Sequence, residues 1–141
     1  MFALDTNVVS EITRPEPDPG VVRWFEETSR LSLFLPSVVV AELYTGIELL
    51  PLGKRRNALA DLVAEFVAQT PADHILGFGF GEAIHYARIV SLRRKSGREI
   101  KQLDAQIAAI AAANEMPLVT RNVRDFENCG IEVVNPWQAP A

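Results

Sequence analysis

The chain of 141 residues carries one cysteine, Cys129, and two histidines, His74 and His85. A lone thiol excludes an internal disulfide framework and a thiolate zinc cluster. The histidines are far apart in sequence, lack metal-ligand spacing, and read as structural or surface residues. A surplus of positive charge is also missing: 14 Lys+Arg stand against 18 Asp+Glu, a formal net charge of −4. A general polyanion binder is therefore excluded, and a nucleic-acid function would need a local site with metal cations supplying positive charge. The longest unbroken apolar run, Ile107 to Ala113, falls far short of the roughly 18 residues of a spanning helix. The opening MFALDTN has no basic stretch before an apolar run, so a secretory signal is not expected. The expectation is a cytoplasmic protein with no membrane partner. There is no G-x-x-x-x-G-K-[ST] phosphate loop, no Ser-His-Asp or Cys-His arrangement, and no internal repeat or linker.

What is present is an ordinary globular composition, 48% hydrophobic and 23% charged. Area scaling lets about two-thirds of such a chain's surface be buried, enough for a core without staples. A single domain over residues 1–141 is expected. Strand-like apolar segments alternate with segments of helical period, which predicts an α/β fold with a mainly parallel sheet of about five short strands flanked by helices. The expected strands are Phe2–Leu4, Leu31–Leu35, Ile75-Leu76, Leu118–Thr120 and Ile131–Val134. Asp18-Pro19 starts one helix and Pro36-Ser37 another, with Ser37 as candidate cap. Gly53 precedes a helix over Lys54–Ala68. Ile84, Ala87, Val90 and Leu92 mark a helix ending at Gly97, and Asp104 opens an alanine-rich helix to Asn114.

Open α/β sheets bind ligands beyond the carboxyl ends of their strands. Asp5 falls there after the first strand, Glu42 one turn into the helix after the second, Asp104 at the helix before the fourth, and Asn122 and Asp125 after the fourth. Clustered carboxylates resist ionising together unless a cation neutralises them. Oxygen ligands of this kind suit Mg²⁺ or Mn²⁺. Each acid also has a plainer reading: Asp5 as a turn or helix cap, Glu42 as part of a solvated helix face, Asp104 as an N-cap.

Four short motifs in order resemble the PIN-domain ribonucleases, and among them the VapC/FitB toxins of bacterial toxin–antitoxin pairs. They are Leu4-Asp5-Thr6-Asn7, Ala41-Glu42-Leu43 with Gly46, Asp104 leading into Ile107-Ala108-Ala109, and Thr120-Arg121-Asn122 before Phe126. The likeness spans nearly the whole chain, including Asn135-Pro136-Trp137. It implies a single PIN-like domain and a Mg²⁺- or Mn²⁺-dependent endoribonuclease hydrolysing RNA phosphodiester bonds through a metal-activated water. Asp5, Glu42 and Asp104 would be the catalytic carboxylates and metal ligands. Thr6 and Asn7 would support them, or else simply form the turn. The resemblance also implies an antitoxin partner and a homodimer.

Two positions depart from the family pattern. Many relatives have a fourth acid where Asn122 stands, which weakens a second metal site unless Asp125 reaches back. Gly79 replaces an Asp before the long helix, altering a cap. Arg94, Lys95, Arg98 and Lys101 form a basic cluster near Asp104, either RNA contacts or a solvated face. The alternative function is a non-catalytic acidic-pocket interaction module, degenerate PIN or receiver-like, binding one structural ion. An aspartyl phosphatase wants a second Asp at position 7, where Asn7 stands, and a receiver wants adjacent acids, which Thr6 interrupts.

Overall fold

Phe2, Ala3 and Leu4 form β1 (Phe2–Leu4), the middle strand of a parallel sheet, with Ala3 and Leu4 fully enclosed. The computed structural model describes residues 1–138. Its other strands are β2 (Leu33–Pro36), β3 (Ile75–Leu76), β4 (Leu118–Val119) and β5 (Val133–Val134). Their order across the sheet is β3-β2-β1-β4-β5, all parallel among the described residues. Ala3 pairs with Phe34 of β2 on one side and with Leu118 of β4 on the other. The chain thus winds outward from β1 to β3 and then returns to the opposite side of β1. The crevice at the carboxyl ends of β1 and β4 is the switch point where such sheets bind ligands.

The helices are α1 (Thr6–Ile12), α2 (Pro19–Glu27), α3 (Ser37–Glu48), α4 (Lys54–Ala68), α5 (Phe80–Lys95) and α6 (Gln102–Ala113). No described helix is long and apolar enough to cross a membrane. Asp18 caps α2 through Gly20 and Val21 N–H groups, with Pro19 at the first position, as the sequence leads one to expect. The alanine-rich α6 is buried almost all round, with Ala105 and every residue from Ile107 to Ala111 enclosed. Its small side chains let it pack closely against α5 while its isoleucines fill the interior.

The structure corrects several expected boundaries. Leu31 belongs to a 3₁₀ turn over Arg30–Ser32 and is exposed, so β2 starts at Leu33. Ser37 is the first residue of α3 and makes no capping bond; Pro36 holds the cap position. The strands after β3 are shorter than expected, ending at Val119 and starting at Val133. Asp104 is the third residue of α6 rather than its cap, which is Lys101. On α5 the inward face carries Ile89 and Arg93, while Ile84 and Leu92 are exposed. That rotation follows from Arg93, whose buried guanidinium finds backbone acceptors inside, as described below. The helix α1 has no counterpart in the sequence reading; Asp5 is its N-cap.

Because Ala108 is completely enclosed in the core, a larger side chain there has no space. Ala108→Leu is expected to lower stability by about 1–3 kcal/mol. Urea unfolding checks this, and an unchanged midpoint would remove α6 from the core as drawn.

Candidate functional site

The candidate site begins at Asp5, where β1 ends and α1 begins. One carboxylate oxygen, Oδ1, accepts from the Thr6 backbone N–H at 2.7 Å and so caps α1. The other, Oδ2, accepts from the Thr120 hydroxyl at 2.7 Å and from Asn7 Nδ2 at 3.1 Å. Thr120, fully buried beyond β4, also accepts from the Asn122 backbone N–H and from Asn7 Nδ2. Asn7 closes the network by accepting from the Arg121 N–H at 3.1 Å. The ends of β1 and β4 are thereby laced together by side chains as well as by strand pairing. Burial raises the Asp5 pKa above its ordinary value; hydrogen bonds from Thr120, Thr6 and Asn7 pull it back, and the Glu42 charge adds to the rise.

Glu42 projects from the second turn of α3, and its Oε2 accepts from the Thr6 hydroxyl at 2.8 Å. Asp104, half-buried near the start of α6, has its pKa pushed up to about 6. Desolvation is the largest cause, followed by the charges of Asp5 and Asp125, with Glu42 adding and Lys101 opposing. Asp5, Glu42, Asp104 and Asn122 all line one cleft of about 370 Å³ at the switch point. Asp125 does not line it, although its charge is felt at Asp104.

The cleft contains oxygen donors and no histidine or cysteine. That chemistry fits a hard divalent cation and excludes a zinc-type nitrogen–sulfur set. Among the described residues no three His, Cys, Asp or Glu side chains stand close enough to cage an ion alone. Mg²⁺ is commonly held by one or two carboxylates and several waters, so these residues fit it without a closed cage.

Other cleft residues carry no role in the sequence reading. Ser10 and Glu11 come from α1 and Arg14 follows its end; Glu11 is buried and accepts from Arg14 and from the Asp18 N–H. Arg121 and Trp137 form the rim, the guanidinium carbon 5.3 Å from the indole centroid. The spacing of Val8, Val9 and Ile12 behind a cap at Asp5 is the signal that would have located α1.

Arg94, Lys95, Arg98 and Lys101 do not line the cleft. Arg98 pairs with Glu127, and Arg94 lies 3.7 Å from Glu99. Arg93, one position before them, is buried. Its Nε donates to the Arg98 carbonyl at 2.7 Å, and one terminal nitrogen donates to the Asp125 and Glu127 carbonyls at 2.7 and 3.0 Å. Gly79 stands at the N-cap of α5 with no side-chain cap.

A PIN domain family model matches residues 2–131. The chain belongs to the PIN-domain family. The PIN domain here is 35% identical to the VapC ribonuclease Y4jK of Sinorhizobium fredii, covering 98% of this chain and 99% of that protein. It is 36% identical to the toxin FitB of Neisseria gonorrhoeae, over 97% and 99%. The solved structure of FitAB bound to an IR36 DNA fragment aligns with TM-score 0.92 at 35% identity, covering 100% of this chain and 99% of that one.

The raised Asp104 pKa sets a sign for stability in metal-free solution. Folding moves the pKa from an ordinary 3.8 to about 6, so between those values the native state holds more protons than the unfolded state. Its contribution to stability therefore falls as pH rises through that window, and the penalty is complete above it. Asp104→Asn in EDTA is expected to raise the melting temperature at pH 7.5 by roughly 2–4 °C. This corresponds to about 1 kcal/mol, after discounting for partial exposure. The gain should shrink at pH 4.5; a gain equal at both pH values would refute the raised Asp104 pKa.

Proposed function

We propose that this PIN-domain protein is a Mg²⁺- or Mn²⁺-dependent endoribonuclease toxin acting with an antitoxin. The observation that carries the reading is the convergence of Asp5, Glu42 and Asp104 on one cleft at the switch point. The full-length likeness to a VapC ribonuclease and to FitB supports the activity and the toxin role. Solved relatives contain the FitAB pair with DNA, which supports an antitoxin partner for this chain. In this reading the unit is a single domain over residues 1–141 and works as a homodimer.

Asp5, Glu42 and Asp104 would hold the cation, with Asn122 as a neutral oxygen donor beside them. When bound there, a divalent cation supplies positive charge for phosphate oxygens and acidifies water. The chain's own residues do the positioning. Thr120, Asn7 and the Thr6 N–H fix both oxygens of Asp5, and the Thr6 hydroxyl orients Glu42. With Asn122 in place of a further acid, the cleft has less negative charge for a second cation. The rival is a non-catalytic module in which the same acidic cleft holds one structural ion.

Purified protein incubated with single-stranded RNA should cleave it with Mg²⁺ or Mn²⁺ and stop in EDTA. Asp5→Asn, which keeps shape and removes charge, should reduce cleavage at least a hundredfold, more than 2.7 kcal/mol of transition-state stabilisation. The same substitution should abolish the rise in melting temperature that Mn²⁺ gives the parent protein. Equal cleavage by both proteins would reject the site. A Mn²⁺-induced rise without any cleavage would favour the structural-ion module.

A further inference from the structure

We propose that Arg121 and Trp137 form a nucleotide subsite on the rim of the acidic cleft, binding the base and phosphate next to the hydrolysed RNA bond. This rests on the ribonuclease reading and extends it to substrate grip. Arg121 is anchored to the acid network by its own backbone N–H, which donates to Asn7 Oδ1. Its side chain is exposed and lines a cleft with four carboxylates, those of Asp5, Glu11, Glu42 and Asp104. Among the described residues none of them forms an ion pair with it. Its guanidinium lies instead over the Trp137 ring.

Trp137 is a firm platform. Its backbone N–H donates to Asn135 Oδ1 at 3.0 Å, and its ring packs against the core. The same indole lines both the acidic cleft and an adjoining groove of about 680 Å³ beside α2. A strand leaving the cleft toward that groove must pass it.

A nucleotide matches both halves of this pair. A planar guanidinium over an indole offers a flat π surface for any base, and its N–H edge donates to phosphate oxygens. Of the two guanidiniums lining the cleft, Arg14 is paired with Glu11, so Arg121 supplies the positive charge not engaged with a carboxylate among the described residues. Stacking does not depend on base identity, so the pair contributes grip rather than sequence choice.

Steady-state cleavage of a short single-stranded RNA in Mn²⁺ tests this. Trp137→Ala and Arg121→Ala are expected to raise KM about tenfold, with kcat within about twofold. Trp137→Phe, which keeps an aromatic face, should return KM to within about threefold of the parent. Melting curves accompany each variant, and if Trp137→Ala fails to fold, Trp137→Phe and Arg121→Ala carry the comparison. An RNA with an abasic ribose beside the cleaved bond should lose about tenfold in kcat/KM with the parent protein and little with Trp137→Ala. Unchanged KM in folded Arg121→Ala and Trp137→Ala, or an equal abasic penalty in parent and Trp137→Ala, would overturn the subsite. If the parent cleaves no RNA, the ribonuclease reading fails separately. Anisotropy of the same labelled RNA at low salt then decides the subsite: binding weakened by Arg121→Ala supports it, and binding that is absent or unaffected overturns it.

Discussion

The hydrogen bond from the Thr120 hydroxyl to Asp5 Oδ2 is the contact on which the cleft depends. It joins the residue just after β1 to the residue just after β4, across the line where the sheet reverses its winding. An almost enclosed carboxylate is costly unless its oxygens are bonded. Here one oxygen caps α1 and the other accepts two side-chain donors. The same group therefore starts a helix, ties two strands together and presents charge to the cleft. The plain cap reading and the functional reading of Asp5 do not compete, because its two oxygens serve different partners.

A second device holds the other wall. Arg93 places a buried positive charge among backbone carbonyls of Arg98, Asp125 and Glu127. The segment leading into α6, and so to Asp104, is thus bound to the loop that follows Asn122. Charged donors to carbonyls are stronger than neutral ones, which lets one side chain fix two loops. Cys129 Sγ lies beside the same guanidinium, and burial pushes its thiol pKa up. The lone cysteine is part of this packing.

What the sequence made legible follows from which signals are local. The parallel α/β architecture, the start of α2 at Asp18-Pro19 and the span of α4 rest on adjacent residues, and they stand as read. The helix α1 escaped because its seven residues follow a three-residue strand with no turn between them. The apolar residues that mark α5 do not tell which face turns inward: Ile84 and Leu92 are exposed, and the inward face includes Arg93, an arginine bonded to carbonyls that no apolar pattern registers. Asp5 and Glu42 are legible from their places after the first two strands, Asp104 from its place at the helix before the fourth, and all three from the family's motifs. That Arg121 and Trp137 would meet at the rim is a tertiary fact, since 16 residues (137 − 121) separate them and no local pattern joins them.

The overall charge of −4 and the charge within the cleft have different consequences. Dispersed surface acids are solvated and screened over about a Debye length, so they cost little. The cleft instead gathers four carboxylates against two guanidiniums in a partly desolvated space. The rise of Asp104 to about 6 expresses desolvation first and the charges of Asp5, Asp125 and Glu42 after it. Near neutral pH the folded chain without a cation holds unfavourable repulsion that its unfolded state lacks. A cation that offsets this repulsion gains affinity from it, and the protein gains stability in the same step. The acidity that argues against general nucleic-acid binding is, within this cleft, what favours a divalent ion over water.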